Sequence, residues 1–393
     1  MIVSVCFTNF GPYHLARLRA LATRLQQHGE CLIAYEVASS ERTYPWLRRK
    51  ETEPFDWITL FPDRVLESLS PSECARAMTR ALDRDLPEAL GIVGYSRPES
   101  MAAVRWARRH AQSAILLSES QAIDRRRVWW KELVKSRRVR LFDAALVGGA
   151  RHRDYLRMLG MPADRIALGY NAVDNEYYRS SAADWRNSPE GRRGLPEAPF
   201  FLSVCRFVPE KNLLRLIKAF GLYRNQVRSA EGWDLVLCGD GPEASSIDAA
   251  IMESGHAKAI HRPGFLQADA VSRLFAFASA FVLPSLSEPW GLVVNEAAST
   301  SLPLLVSERA GCVTTLVPEP EGTTGAWFDP LDIEDMTHKL TWMTQLTSEQ
   351  RQSMGRRAAE VVKQWGPDRF AQGLLEALDL AAGRHEPSQK VVL

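Results

Sequence analysis

Short unbroken apolar runs along the chain take turns with longer stretches in which apolar residues recur at helical spacing. Met1–Phe7 (MIVSVCF) is the first run, and the stretch from His14 to Gln27 carries Leu15, Leu18, Leu21, Ala22 and Leu25 on one helical face. Between them Thr8–Tyr13 (TNFGPY) reads as a turn. Further runs follow at Cys31–Tyr35, Trp57–Leu60, Gly91–Gly94, Ala114–Leu117 and Ala144–Val147, most of them separated by helical stretches. Strands alternating with helices predict a parallel sheet covered on both faces. Tyr155–Leu159 ends a helix at Gly160, a glycine suited to a C-cap. Ser180–Pro199 is polar, rich in proline and glycine, and without period, so it reads as a linker. The alternation then restarts with the strand Phe200–Cys205, the helix Leu213–Tyr223 and the strand beginning at Asp234. An apolar helix over Ala270–Ala280 leads into the strand Phe281–Leu283, and another helix starts at Leu292. Asp335–Gln345 and Glu349–Val362 are helical, and a last helix runs from Trp365 to about Ala382 before a loose tail at Arg384–Leu393. The expected division is a first α/β domain over 1–180, a linker over 181–199, a second α/β domain over 200–366, and a final helix and tail over 367–393.

A length of 393 residues agrees with two cores rather than one. With 46% hydrophobic and 24% charged residues the chain has the composition of a soluble globular protein. Its six cysteines are scattered without C-x-x-C or metal spacing, which suits reduced, buried thiols in a cytosolic protein. No apolar run approaches the roughly 20 residues that span a bilayer, and the N-terminus opens directly on a strand pattern rather than an export signal. The expected location is therefore cytoplasmic. Net charge is only +2, yet residues 1–190 hold 29 of the 49 Lys and Arg but only 23 of the 47 Asp and Glu. That excess peaks in Asp124–Arg140 (DRRRVWWKELVKSRRVR), where eight basic residues and two acidic ones interleave with Val128, Trp129, Trp130, Leu133, Val134 and Val139. Two readings stand: a helix lying peripherally on an anionic membrane, on the inner face of the plasma membrane, or a helix on the sheet with a solvated basic face. No nucleic-acid-binding motif accompanies the charge.

The stretch Phe281–Ala298 (FVLPSLSEPWGLVVNEAA) holds the strongest chemical signal. A buried strand ends at Pro284, a loop follows, and a helix opens just after Pro289 and Gly291, where unpaired N–H groups and the helix dipole favour an anion. Glu288 stands before that turn and Glu296 inside the helix. Two carboxylates around a phosphate-accepting helix end suit a ligand anionic in its middle and rich in hydroxyls on both sides, as a nucleotide sugar is. At the end of an earlier strand Arg206, with Lys211 at the start of the next helix, offers two cations to a diphosphate.

Glu288-Pro-Trp-Gly-Leu-Val-Val-Asn-Glu296 resembles the E-x7-E signature of retaining glycosyltransferases of the GT-B fold, family 4 in particular, and Arg206-x4-Lys211 resembles their diphosphate-binding pair. Gly239-Asp-Gly-Pro242 resembles their tight turn beside the ligand, and His261–Leu266 the segment whose backbone reads the base, with Phe265 and Leu266 as contacts. Leu302–Val306, Gly311–Thr315 and Gly325–Asp329 resemble later parts of the same domain, and Asn171-Ala-Val-Asp174 resembles the turn that closes the first one, with Ala172 where glycine is common. The resemblance implies two Rossmann-like parallel-sheet domains, with the C-terminal helix crossing back to the first. It implies a metal-independent hexosyltransferase without a cofactor, taking a nucleotide diphosphate sugar, UDP-sugar ahead of GDP-sugar. The acceptor would be a saccharide or lipid-linked saccharide, in bacterial surface polysaccharide synthesis. Glu296 would hold the ribose hydroxyls, Glu288 those of the sugar, and Trp290, Gly291, Leu292 and Val293 the sugar and phosphates through N–H groups. Gly11 would let backbone approach the donor or acceptor, with Asn9 beside it. Many relatives carry a histidine in the loop where this chain has Ser118-Glu119-Ser120, so Glu119 is a candidate for sugar or acceptor binding. The sole D-x-D, Asp83-Arg84-Asp85, falls in a helical segment and is not expected to hold metal. A nucleotide-sugar epimerase or hydrolase on the same fold, or a non-catalytic nucleotide-sugar-binding protein, are the rival readings.

Overall fold

The structure is a computed structural model that describes residues 1–41, 52–227 and 232–383; the tail expected from Arg384 onward lies outside the described residues. Its elements follow the predicted alternation: β1 (Ile2–Phe7), α1 (Pro12–Gln27), β2 (Cys31–Ser40), β3 (Asp56–Val65), α2 (Pro71–Asp85), β4 (Ala89–Val93), α3 (Pro98–Arg109), β5 (Ser113–Ser118), α4 (Trp129–Val139), β6 (Ala144–Val147), α5 (Ala150–Met158) and β7 (Ile166–Leu168). Then come α6 (Asn175–Asn187), β8 (Phe200–Val204), α7 (Leu213–Gln226), β9 (Asp234–Cys238), α8 (Ala244–Glu253), β10 (Ile260–Gly264), α9 (Ala268–Phe277), β11 (Ala280–Leu283), α10 (Leu292–Ser299), β12 (Leu304–Ser307), α11 (Val313–Leu316), β13 (Gly325–Phe328), α12 (Ile333–Gln345), α13 (Ser348–Lys363) and α14 (Pro367–Ala381).

The chain folds as two compact units, each around its own parallel sheet. The first unit comprises residues 1–122, 126–173 and those from 365 onward; the second comprises 123–125 and 174–364. In the first, the strand order is β3-β2-β1-β4-β5-β6-β7, and α14 returns to pack on α1 and over β5, β6 and β7. In the second, the order is β10-β9-β8-β11-β12-β13. Both are Rossmann-like, and the C-terminal helix crosses back to the first unit as expected. Each sheet buries both faces, so its inner strands read as unbroken apolar runs: all four residues of β11 and of β12 are buried.

The unit boundaries fall at Val173/Asp174 and Gln364/Trp365, whereas the expected ones lay at 180 and 366. The expected linker over 181–199 also begins inside a helix. Asp174 caps α6 by accepting from the Tyr177 N–H at 3.0 Å, and α6 packs on α9 and α10. Its Arg186 donates to the Ala276 and Thr300 carbonyls at 2.9 and 2.8 Å. Only Tyr178 and Ala182 of this helix are buried, which is why its pattern looked aperiodic. Strand β3 runs to Val65, past the predicted Leu60, because it is an edge strand with no fully buried position and tolerates Pro62. Among the described residues no helix is long and apolar enough to cross a membrane.

Candidate functional site

Where the order of a parallel sheet reverses direction, the loops leaving the two central strands part and leave a crevice at their C-terminal ends. In the second unit that point lies between β8 and β11, which pair through Phe201–Ala280 and Leu202–Phe281. Both predicted charge clusters leave from it: Arg206 and Lys211 after β8, Glu288 and the start of α10 after β11.

The loop after β8 is held by its backbone. Buried Phe207 donates its N–H to the Asp240 carbonyl at 2.8 Å and accepts from the Glu243 N–H at 3.0 Å. Gly239 makes this possible: at φ +143° its missing Cβ would lie 1.9 Å from the Cys205 carbonyl oxygen. The turn expected of Gly239–Pro242 therefore supports the cation loop through glycine. Arg206 itself is exposed. A single 3-10 turn over Pro209–Lys211 ends at Asn212, which is buried and left-handed at φ +58°. Its Nδ2 donates to the Pro284 carbonyl at 3.0 Å and the Pro330 carbonyl at 2.8 Å, while the Leu286 N–H donates to the Glu210 carbonyl at 2.8 Å. Asn212 was not singled out from sequence. An Asn directly before an apolar helical run was the available signal, but its two partners lie in distant loops.

These ties bring Lys211 onto Glu288, and the two side chains form a direct ion pair. Only 18% of the Lys211 side chain and 11% of that of Glu288 is exposed, and Ser285 Oγ donates to Glu288 Oε2 at 3.2 Å. Cys205 lies beside this pair: burial pushes its thiol up to about 11 although the Lys211 charge pulls the other way. The Glu288 and Trp290 carbonyls accept from the N–H groups of Gly311 and Cys312 at 3.0 and 3.1 Å, and buried Trp290 donates Nε1–H to Asn295 Oδ1 at 2.9 Å. Gly291 caps α10 at φ +98°, where a Cβ would sit 3.1 Å from Leu283 Cδ2 and 3.3 Å from Glu288 Cγ. Leu292 and Val293 then begin the helix, half-buried, with no earlier intrahelical carbonyl for their N–H groups. Glu296 lies one turn further, 3% exposed. Exposed Phe265 and half-buried Leu266 follow β10 at the same edge of the sheet, two strands from β8.

The structure thus brings together Lys211, Glu288 and Gly291, with Arg206, Trp290, Leu292, Val293 and Glu296 on the same two loops and helix. Gly11, Asn9 and Glu119 belong to the first unit. Gly11 caps α1 in an extended conformation, φ −105° and ψ 178°, that does not require glycine, and its N–H donates to His14 Nδ1 at 3.0 Å. Asn9 is buried with Nδ2 donating to the Ala38 carbonyl at 3.2 Å. Glu119, exposed after β5, accepts from Asn171 Nδ2 at 2.8 Å. Near it lies Arg17, buried within α1, which donates Nε–H to the Ala172 carbonyl at 3.0 Å and stands 5.1 Å from the Tyr170 ring centroid. Burial lowers the Arg17 pKa and raises that of Tyr170, each partly offset by the other. Arg17 was missed because it sits among the apolar positions of an amphipathic helix. On α2, Asp83 accepts from Trp106 Nε1–H and Asp85 from the Tyr35 hydroxyl, both at 2.7 Å.

Residues 190–361 match the family described as glycosyl transferases group 1. A sulfoquinovosyl transferase of Arabidopsis thaliana is 32% identical over 226 residues, 57% of this chain and 41% of that protein. The chain spans about half the length of the curated relatives it matches. Sucrose-phosphate synthase of Thermosynechococcus elongatus superposes with a TM-score of 0.74 at 16% identity, covering 97% of this chain and 99% of that one. Anabaena HepE in complex with UDP and glucose gives 0.73 at 16% identity, with 96% and 99% covered. With the two Rossmann-like units and the returning helix, the superpositions show the GT-B fold, and the stretch that matches the glycosyl transferases group 1 family, residues 190–361, falls within the second unit.

Proposed function

We propose that this protein is a retaining, metal-independent hexosyltransferase of family 4. It moves a sugar from a nucleotide diphosphate sugar, UDP-sugar ahead of GDP-sugar, to a saccharide or lipid-linked saccharide, and serves bacterial surface polysaccharide synthesis. One observation carries the reading: a largely buried Lys211–Glu288 ion pair at the switch point of the second sheet, beside the N-terminus of α10. A lone lysine there would be a phosphate ligand and a lone carboxylate a hydroxyl ligand; paired, each holds the other in place.

In this reading the donor diphosphate takes the Glu288 carboxylate's place on Lys211, with the N–H groups of Leu292 and Val293 and the Arg206 guanidinium as further partners. Glu288, released, accepts from the sugar hydroxyls, and Glu296 from the ribose. At about 4 Å and an effective dielectric near 20, each charge contact is of order 4 kcal/mol before desolvation. Negative charge on the leaving diphosphate grows as the glycosidic bond breaks, so fixed cations favour the transition state over the bound donor. Transfer proceeds on one face: a leaving phosphate oxygen takes the acceptor hydroxyl's proton as the anomeric carbon passes to the acceptor oxygen. Glu119, beside Asn171 in the first unit, serves acceptor or sugar hydroxyls, with the Asn9–Gly11 loop nearby in sequence to β1.

The test is a thermal-shift screen over UDP-, GDP- and ADP-sugars, followed by the anomeric proton signal of the product. A donor at 100 times its dissociation constant stabilises by about 2.7 kcal/mol. No stabilisation by any sugar nucleotide, or a wholly inverted product, would overturn the proposal.

A further inference from the structure

Helix α4 is mounted with its polar side inward. Val139 is its one buried residue among the described positions. What fastens it is a polar network: Tyr155 Oη donates to Glu132 Oε2 at 2.7 Å, and Lys135 Nζ donates to Glu132 Oε1 at 2.7 Å and to Tyr155 Oη at 3.0 Å. Arg127, just before the helix, donates to Tyr155 Oη at 2.7 Å and lies 4.2 Å from that ring's centroid. Outward point Trp129, Trp130, Leu133 and Val134, which are 79%, 52%, 45% and 39% exposed. At about 100° per residue these four cover roughly 140° of the helix surface, on the side away from Glu132, Lys135 and Val139. Ordinary surface helices do the reverse, and single exposed apolar residues are common where a cluster of four is not.

The charges around this face choose its partner. Glu132, the helix's acidic residue, is taken up in the network with Lys135 and Arg127. The exposed charged residues of the segment 124–140 are Arg125, Arg126, Lys131, Arg137 and Arg140, all cationic. Lys131 Nζ lies 5.4 Å from the Trp130 ring centroid, so charge and aromatic surface are adjacent. We propose that α4 is a docking element for an anionic bilayer surface, lying flat with Trp129, Trp130, Leu133 and Val134 among the acyl chains and its cations at the headgroups. Tryptophan is favoured at that boundary, and basic residues near an anionic leaflet add to apolar burial. This inference uses no part of the donor site and stands whatever the second unit binds.

The test is cosedimentation of the full chain with vesicles of phosphatidylcholine alone and of phosphatidylcholine mixed with phosphatidylglycerol. Wild type should bind the anionic vesicles more tightly and release them at high salt. Trp129→Gln/Trp130→Gln/Leu133→Gln should lower partitioning at least about tenfold, and Arg126→Gln/Lys131→Gln/Arg137→Gln about fivefold per cation at low salt. All six positions are exposed, and unchanged melting temperatures would confirm that the variants fold. Equal binding to neutral and anionic vesicles, no binding by wild type, or undiminished binding by the apolar variant would each overturn the proposal. So would vesicle-independent self-association, or capture of an acidic protein, that the apolar variant abolishes without any wild-type vesicle binding.

Discussion

Replacing Asn212 tests whether the cation loop is held by tertiary hydrogen bonds. Asn212→Ala removes both Nδ2–H donors and leaves the Pro284 and Pro330 carbonyls without them. Each of the two lost bonds is worth about 1–1.5 kcal/mol net. Alanine also inherits φ +58°, a left-handed conformation that costs a residue with a Cβ about 1–2 kcal/mol. Asn212→Gly loses the same bonds without that strain. The expected destabilisation of the second unit is therefore about 3–5 kcal/mol for alanine and about 1–2 kcal/mol less for glycine. For a unit of this size 1 kcal/mol moves the melting temperature by about 2–4 °C, so the alanine variant should melt roughly 10 °C lower. Urea unfolding measures the same difference isothermally. An alanine variant as stable as wild type, or a glycine variant less stable than the alanine one, would refute the reasoning.

Lys211→Met removes the cation beside the largely buried Glu288 carboxylate, and should cost about 1–3 kcal/mol after discounting for partial exposure. Adding Glu288→Gln should recover part of that loss; costs that simply add in a denaturation cycle would deny the coupling. Gly291→Ala should lower stability by at least about 1–2 kcal/mol, because alanine must take φ +98° against Leu283 and Glu288; an unchanged melting temperature would contradict this. Burial holds the Cys6 and Cys238 thiols up to about 12 and Cys205 up to about 11, against 9.0 when unfolded. These raised values stabilise the fold fully below pH 9, and the contribution is lost as pH rises toward 11 to 12. Chemical denaturation between pH 8 and pH 11 should show stability falling with pH, and a thiol reagent at pH 8 should reach exposed Cys31 long before these three.

The alternation of apolar runs and helical stretches was enough to read two parallel sheets, because both faces of an inner strand are buried and its residues must be apolar throughout. It was weakest where burial is one-sided. Helix α6 has two buried residues, so its last turns, from 181, read as linker, and edge strand β3 reads only as far as Leu60. The donor-site candidates were legible as Glu288, Gly291 and Glu296 on one loop and Arg206 and Lys211 on another. That Lys211 and Glu288 would pair was not, since 77 residues separate them and only the β8–β11 reversal brings their loops together. Asn212 and Arg17 escaped for the same reason: their partners are carbonyls and rings remote in sequence. The basic, tryptophan-rich composition of 124–140 was visible, but the direction in which α4 presents its apolar side depends on the anchor to Tyr155.

The central claim is that Lys211, Arg206 and the N-terminus of α10 receive a diphosphate. A crystal structure of the protein with UDP tests it most directly. The account predicts a phosphate oxygen about 3 Å from the N–H groups of Leu292 or Val293, with Lys211 turned from Glu288 onto the phosphate and the ribose hydroxyls on Glu296. UDP bound away from these groups, with the Lys211–Glu288 pair intact, would contradict it.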